Sequence, residues 1–235
     1  MLPKHIGMIL DGNRRFARQL LKKPWEGHYY GLQKAREVVE WGCEHGIKYM
    51  TAYTLSLENM TTRPKRELQF ILKNLENEMR DMLQRKDHVV HARKVQIRFI
   101  GRTAILPETL QILMKKVEGA TAAYKKHVLN LAVAYGGQQE IVDAVKKIAE
   151  ECVQGIIKPS QLDEKILKDH LYTNGCPYPD VIIRSGGEKR LSNFLPFQSA
   201  YSELIFTDKK WPELTKKDFE QFLDEYERRQ RRFGK

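Results

Sequence analysis

The sequence predicts an α/β domain built on a mainly parallel sheet, and three observations carry the prediction. Short apolar runs alternate with longer amphipathic stretches along all 235 residues. Polar, glycine-bearing turns follow several of the apolar runs. No linker, internal repeat or low-complexity segment divides the chain, so residues 1–235 read as one domain, long enough to bury a substantial core. Strand–helix alternation of this kind makes βαβ units, whose crossovers impose parallel pairing.

Taken in order, the apolar runs at 6–10, 49–55, 95–100, 128–134, 181–183 and 204–206 are the candidate strands. Helical stretches near 32–44, 65–85, 107–126, 138–154 and 162–170 fall among them, and a charged helix over 216–232 closes the chain. The stretch 65–85 is the clearest helix. Leu68, Ile71, Leu72, Leu75, Met79 and Met82 recur at spacings of three and four, which makes one apolar stripe. The Gly136-Gly137 pair reads as a plain strand-to-helix turn.

Forty-one Lys and Arg against thirty Asp and Glu leave a formal charge of +11, a surplus that favours anionic partners without choosing among them. The three cysteines are far apart and make no CxxC or metal-ligand spacing, so they are expected as thiols in a reducing compartment. No apolar h-region follows the start of the chain, and no run approaches the roughly 20 residues needed to span a bilayer. The expectation is a cytoplasmic protein, at most peripheral to a membrane. The arginines mark turns after strands and are not interleaved with aromatic stacking platforms, so no nucleic-acid partner is expected.

In open α/β sheets, ligands sit beyond the carboxyl ends of the strands, so the strand ends are where chemistry is sought. The first strand ends in Asp11-Gly12-Asn13-Arg14-Arg15. Gly12 permits close backbone approach, Asn13 can cap a turn, and the two arginines suit a phosphate or diphosphate. A carboxylate at Asp11 repels phosphate, and a divalent cation such as Mg²⁺, held by a carboxylate together with phosphate oxygens, resolves that conflict. The second strand runs into Ser56, Glu58, Asn59 and Arg63. The fifth ends at Arg184, and after a Gly186-Gly187 turn come Arg190 and Ser192, a second candidate diphosphate cradle. Glu203, just before the sixth strand, is the second candidate metal carboxylate.

Three blocks in this order, "HIGMILDGNRRFA", "SLEN…RP" and "IIRSGGEKRLSNFLPFQSAYSELIF", resemble the cis-prenyltransferases, the undecaprenyl diphosphate synthase family, from His5 to the terminal "RRFG". The "GNRRFA" form is more similar to archaeal and eukaryotic members than to bacterial ones. The resemblance implies a six-stranded, mainly parallel sheet surrounded by helices with a hydrophobic tunnel, a homodimer, and Mg²⁺-dependent condensation of an allylic prenyl diphosphate with isopentenyl diphosphate, forming cis double bonds. By position it implies that Asp11 holds Mg²⁺ and that Gly12, Asn13, Arg14, Arg15 and Phe16 form the allylic site, with His28 nearby. Arg184, Arg190 and Ser192 would bind isopentenyl diphosphate, and Glu203 would complete the metal environment, from across a dimer. Ser56, Glu58, Asn59, Met60 and Arg63 would line the reacting centre, and Arg232 and Gly234 match a terminal element that reaches a partner's site. Phe16 stands where the family carries tryptophan, Met60 where many members carry an aromatic, and Pro24 where bacterial members carry arginine. The expected tunnel lining is the helix 65–85 with Met50, Ala52, Ile97 and Ala132. Transfer to a different acceptor, an allylic diphosphate or an alcohol, uses the same cation and is the alternative. A non-catalytic subunit of a heteromeric enzyme is a weaker one, because it would not need Asp11 or the first cradle. Peripheral membrane contact for product release is a further expectation.

Overall fold

Six strands pair in parallel: β1 (His5–Ile9), β2 (Tyr49–Ser56), β3 (Val95–Ile100), β4 (His127–Tyr135), β5 (Val181–Arg184) and β6 (Glu203–Phe206). Their order in the sheet is β3-β4-β2-β1-β5-β6 in the computed structural model, which describes residues 1–229. β1, "HIGMI", is buried at every position, as a strand covered on both faces must be.

The strands alternate their side chains between two cores. Ile6 and Met8 of β1 and Val181 and Ile183 of β5 enter the larger one. It is closed by α2 (Gly27–Glu44), α4 (Lys65–Gln84), α6 (Glu108–Thr121) and α9 (Lys216–Arg228). Ile9 and Ile182 point the other way, into a smaller cluster with Ala132, Tyr135, Phe194 and Leu195. α7 (Gly137–Val153) and α8 (Glu164–His170) pack against each other.

The stripe read along α4 is confirmed. Ile71, Leu75, Met79 and Met82 are buried, but so are Glu67 and Glu78, two carboxylates on a face expected to be apolar. Three helices absent from the sequence reading are α1 (Asn13–Gln19), α3 (Leu57–Thr62) and α5 (Val89–Ala92). Each is too short for a helical hydrophobic period to develop. α2 starts earlier than expected because a 3-10 turn over Pro24–Glu26 leads into it. α6 stops before 126, and the chain enters β4 at His127. α9 ends at Arg228, and Arg232 and Gly234 lie outside the described residues. Among the described residues no helix is long and apolar enough to cross a membrane.

Candidate active site

β1 lies between β2 and β5, and the chain builds β2, β3 and β4 on one side of it before crossing to β5 on the other. Ligand crevices form where the strand order reverses in this way. Ile9 is in register with Arg184, so Asp11 and Arg184 meet at the carboxyl edge. Arg184 Nη2 donates to Asp11 Oδ2 at 2.9 Å, and its Nη1 donates to Ser192 Oγ at 2.8 Å and to the Arg190 carbonyl. Asp11 Oδ1 accepts from Gly12 N at 2.6 Å and from Arg15 Nη2 at 3.3 Å. The two arginine clusters are therefore one structure. Gly186 has φ +85°, and a Cβ there would stand 2.6 Å from Arg15 Nη2 and 3.1 Å from the Asp11 carbonyl carbon, so glycine is required for the turns to touch.

α3 begins at the end of β2 because Ser56 caps it, Oγ accepting from Asn59 N at 3.1 Å. Glu58 Oε1 accepts from Asn193 Nδ2 at 2.7 Å, tying this turn to the segment after β5. Behind α3 lies a residue that the sequence reading did not single out. Glu67, 2% exposed, accepts from Arg63, lies 3.3 Å from His28 Nε2 and lies 3.6 Å from Arg14 Nε. Burial alone would raise its pKa, but Arg63, His28 and Arg14 outweigh it and hold the carboxyl below its usual range. Burial, then Arg63, lowers the His28 pKa to about 4 against the pull of Glu67, so the imidazole is neutral at pH 7. The i,i+4 spacing of Arg63 and Glu67 was the available signal.

The segment from Arg190 onward is held in an unusual backbone. Ser192, Asn193 and Leu195 all have positive φ (51°, 64° and 48°), which needs outside support at non-glycine residues. Tyr53 stacks on Phe194 with centroids 4.8 Å apart, and its hydroxyl donates to the Ser192 carbonyl at 3.4 Å. Beneath, buried Glu140 accepts from the Tyr135 hydroxyl, from Gln198 Nε2 at 3.0 Å and from Tyr172 N at 2.8 Å. Burial nonetheless pushes its carboxyl above the usual range. The Gly136-Gly137 turn is part of this bracing. Gly137 N donates to the Asn193 carbonyl at 2.9 Å, and a Cβ on Gly137 would fall 2.0 Å from Pro196 Cδ.

From the arginine rim a cavity of about 840 Å³ runs between the sheet and helices α2 and α4. Asp11, Gly12, Asn13, Arg14, Arg15, His28, Ser56, Glu58, Asn59, Arg63, Arg184 and Ser192 all border it, together with Arg18. Its walls include Leu32, Val39, Ala52, Ile71, Leu75 and Leu131. Of the strand residues expected to line a tunnel, Ala52 does. Met50 and Ile97 are buried in the large core and Ala132 in the small one. Polar groups also border the apolar part. Arg36 Nε donates to both Glu78 oxygens at 3.0 Å, and Arg36 Nη2 donates to Asp81 at 2.7 Å. His88 Nδ1 accepts from Val90 N, so its Nε2 carries the proton and donates to Glu78 at 3.1 Å. Burial works against the Glu78 carboxylate, and the His88 and Arg36 bonds hold its pKa low regardless.

Five of the expected site residues are placed differently. Arg190 is turned outward to Glu188 and contributes its carbonyl here, not its guanidinium. Glu203 is in register with Val181 at the opposite edge of the sheet, three residues or about 10 Å from the Arg184 end. It pairs there with Arg229 at 3.1 Å, so it is no part of this chain's own site. Phe16 packs edge-on against Tyr30, and Met60 packs against the large core; neither borders the cavity. Asn13 does not cap α1. Gly12 is the cap residue, Asn13 Nδ2 donates to the Leu10 carbonyl at 3.0 Å, and Asn13 Oδ1 is buried without a partner.

Among the described residues no group of three or more His, Cys, Asp or Glu side chains could hold a metal ion unaided. Asp11 supplies one carboxylate in contact with the guanidiniums of Arg15 and Arg184, a set that fits Mg²⁺ only if diphosphate oxygens and water complete its shell. Buried Arg184 Nε, without a partner, leaves donor capacity in the same cradle.

A rim richer in guanidiniums than in carboxylates, opening on a largely apolar cavity, defines a protein for amphiphiles with an anionic head and a hydrocarbon tail. The comparisons agree. Residues 9–234 match the family model described as "Putative undecaprenyl diphosphate synthase". The chain is 46% identical over 234 residues to a tritrans,polycis-undecaprenyl-diphosphate synthase (geranylgeranyl-diphosphate specific) of Methanopyrus kandleri, covering 100% of this chain and 85% of the relative. It is also 46% identical to the enzyme of the same description from Methanocaldococcus jannaschii, covering 100% and 83%. Lavandulyl diphosphate synthase from Lavandula x intermedia, solved with dimethylallyl diphosphate, superimposes with a TM-score of 0.93 at 35% identity, over 100% of this chain and 99% of that one. A probable undecaprenyl diphosphate synthase from Campylobacter jejuni gives a TM-score of 0.80 at 29% identity, over 100% and 99%. The chain belongs to the undecaprenyl diphosphate synthase family of cis-prenyltransferases.

Proposed function

We propose that this prenyltransferase condenses an allylic prenyl diphosphate with isopentenyl diphosphate, repeatedly, to a polyprenyl diphosphate with cis double bonds. The observation that carries the reading is the contact of Asp11 with Arg184, which joins two anion cradles at one mouth of an apolar cavity. Two diphosphates bound there lie side by side, and the tail of the allylic one follows the cavity inward. The named specificity of the archaeal relatives makes a geranylgeranyl-length primer the one to try first.

Arg14 and Arg15, with the unpartnered donors of the rim, take up charge on the departing diphosphate as the allylic C–O bond breaks. Mg²⁺ bound by Asp11 together with the diphosphates would supply further charge stabilisation at the leaving group. Arg184 and Ser192 hold the acceptor diphosphate and so orient its alkene toward the allylic cation. Asn59 is a poor base. With Ser56 it positions the group that takes the proton, a diphosphate oxygen or a water.

The enzyme acts as a homodimer in this reading, with Glu203 and the terminal Arg232 and Gly234 serving the neighbouring site. It is cytoplasmic, with peripheral membrane contact where the product leaves. The test incubates purified protein with Mg²⁺, labelled isopentenyl diphosphate and allylic primers of graded length, and resolves the lipids by mass. Long cis products are expected. No product with any primer would refute chain elongation, and a product from dimethylallyl diphosphate alone would favour the allylic-acceptor alternative. Light scattering at a dimer's mass is expected, and a monomer would refute the assembly.

A further inference from the structure

α1 ends in a corner that folding alone does not explain. Leu21 N donates to the Arg18 carbonyl at 3.1 Å and Lys22 N donates to the Ala17 carbonyl at 3.0 Å, the paired bonds of a Schellman motif. Leu21 occupies its left-handed position, with φ 55°, where glycine is the usual residue. Leu21 is 97% exposed, and Leu20 beside it is 45% exposed. Two leucines thus stand in water at a turn whose backbone calls for a residue without a side chain.

Their surroundings have a definite chemistry. Arg18, Lys22 and Lys23 are exposed around them, against one acid, Glu26, whose carboxylate accepts from Lys23 N. Lys22 Nζ sits 5.8 Å above the Tyr30 ring and Lys23 Nζ 5.6 Å above Trp25, and half-exposed Tyr29 packs edge-on to Tyr30. Leucine at the tip, tryptophan and tyrosine behind it, and an excess of cations is the composition of segments that lie in a bilayer interface. α1 also presents Arg14, Arg15 and Arg18 to the cavity, so the corner stands at the rim of the cavity mouth.

We infer that residues 20–25 are a docking tip for an anionic lipid bilayer, with Leu20 and Leu21 entering the acyl boundary and Lys22 and Lys23 meeting the headgroups. The inference rests on the proposed reaction in one respect: a long polyprenyl diphosphate has to pass from this mouth into lipid. The positive charge selects an acidic headgroup surface over an apolar protein groove.

The test uses the full chain and sedimentation with two vesicle preparations, phosphatidylcholine alone and phosphatidylcholine with one-third phosphatidylglycerol. Wild-type protein is expected to bind the mixed vesicles and to bind the neutral ones weakly. Leu21→Gly suits the left-handed backbone, so it keeps the fold, with a thermal midpoint at or above wild type. It is expected to weaken vesicle binding about tenfold. Lys22→Glu/Lys23→Glu is expected to abolish the preference for the anionic vesicles. With vesicles present, Leu21→Gly is also expected to slow multiple turnovers to long product while leaving a single condensation unchanged. Wild-type binding to neither preparation, or equal binding by wild type and Leu21→Gly, would overturn the inference. Vesicle binding that falls in Leu21→Gly while the wild type makes no prenyl product from any primer would uphold the tip and refute the proposed reaction.

Discussion

Arg184 reaches Asp11 across 2.9 Å, although 173 residues separate them. The contact puts the carboxylate of the first cradle under the guanidinium of the second. Asp11→Asn keeps the hydrogen-bonding shape and removes the charge, so it is expected to lower turnover at least about 10²-fold while the fold persists. Circular dichroism and a steady-state assay check both halves. Chelation of divalent cations is expected to abolish product in the wild type, with recovery on adding Mg²⁺. Full turnover in a chelator would remove the metal assignment.

Glu67 holds Arg14, His28 and Arg63 from a nearly dry position. Glu67→Gln leaves Arg14 and Arg63 without their counter-charge, and breaking a buried pair costs about 3–5 kcal/mol. A lower thermal midpoint is expected, with the KM for the allylic substrate raised more than that for isopentenyl diphosphate. Equal changes in both would reduce Glu67 to a structural role.

Acid sensitivity follows from two buried imidazoles. His5, by burial against the opposing Pro177 and Asp180, and His28 are both held at about 4 from an ordinary 6.5. Above 6.5 neither folded nor unfolded chain protonates these groups, and they add no pH dependence. Between 6.5 and about 4 the unfolded chain binds protons that the folded one refuses. Stability is therefore expected to fall as pH drops through that window, by on the order of 1.4 kcal/mol per pH unit for each group. Urea midpoints across the window measure it, and a flat profile would count against both shifts.

The ion pair beside the apolar cavity offers a fourth measurement. Glu78→Leu alone leaves Arg36 with Asp81 only and takes the acceptor from His88, and is expected to destabilise by about 3–5 kcal/mol. Arg36→Leu/Glu78→Leu replaces charge with hydrocarbon and is expected to recover most of that loss. By extending the apolar lining it is also expected to shift products toward longer chains, read by mass. An unchanged product distribution in the stable double variant would mean that the tail does not reach Glu78.

Much of the site was legible because strand ends carry their chemistry in short contiguous runs. Asp11 to Arg15, Ser56 to Arg63, and Arg184 with Ser192 are all legible in turns, and all border the cavity except Leu57, Met60 and the exposed Thr61 and Thr62. Glu203 lies away from this chain's own site for the converse reason. It also sits beside a strand, but at the strand's beginning, and in a parallel sheet that is the edge away from the ligand. Glu67 and Glu78 were hidden inside a helix whose periodicity is otherwise apolar, where a buried carboxylate looks like any solvated one until its partners are known.

What the amino-acid sequence determined by itself was local: strands, the long helices, and the residues clustered at their ends. Hydrophobic period and turn chemistry act over a few residues, and those interactions are written in neighbouring side chains. The tertiary structure decided the rest. Strand order brought β5 beside β1 and so joined the two cradles, and packing of α2 and α4 over the sheet selected which apolar residues face a cavity and which fill a core. Those outcomes depend on contacts between residues far apart in the chain, and no local pattern specifies which strand becomes whose neighbour.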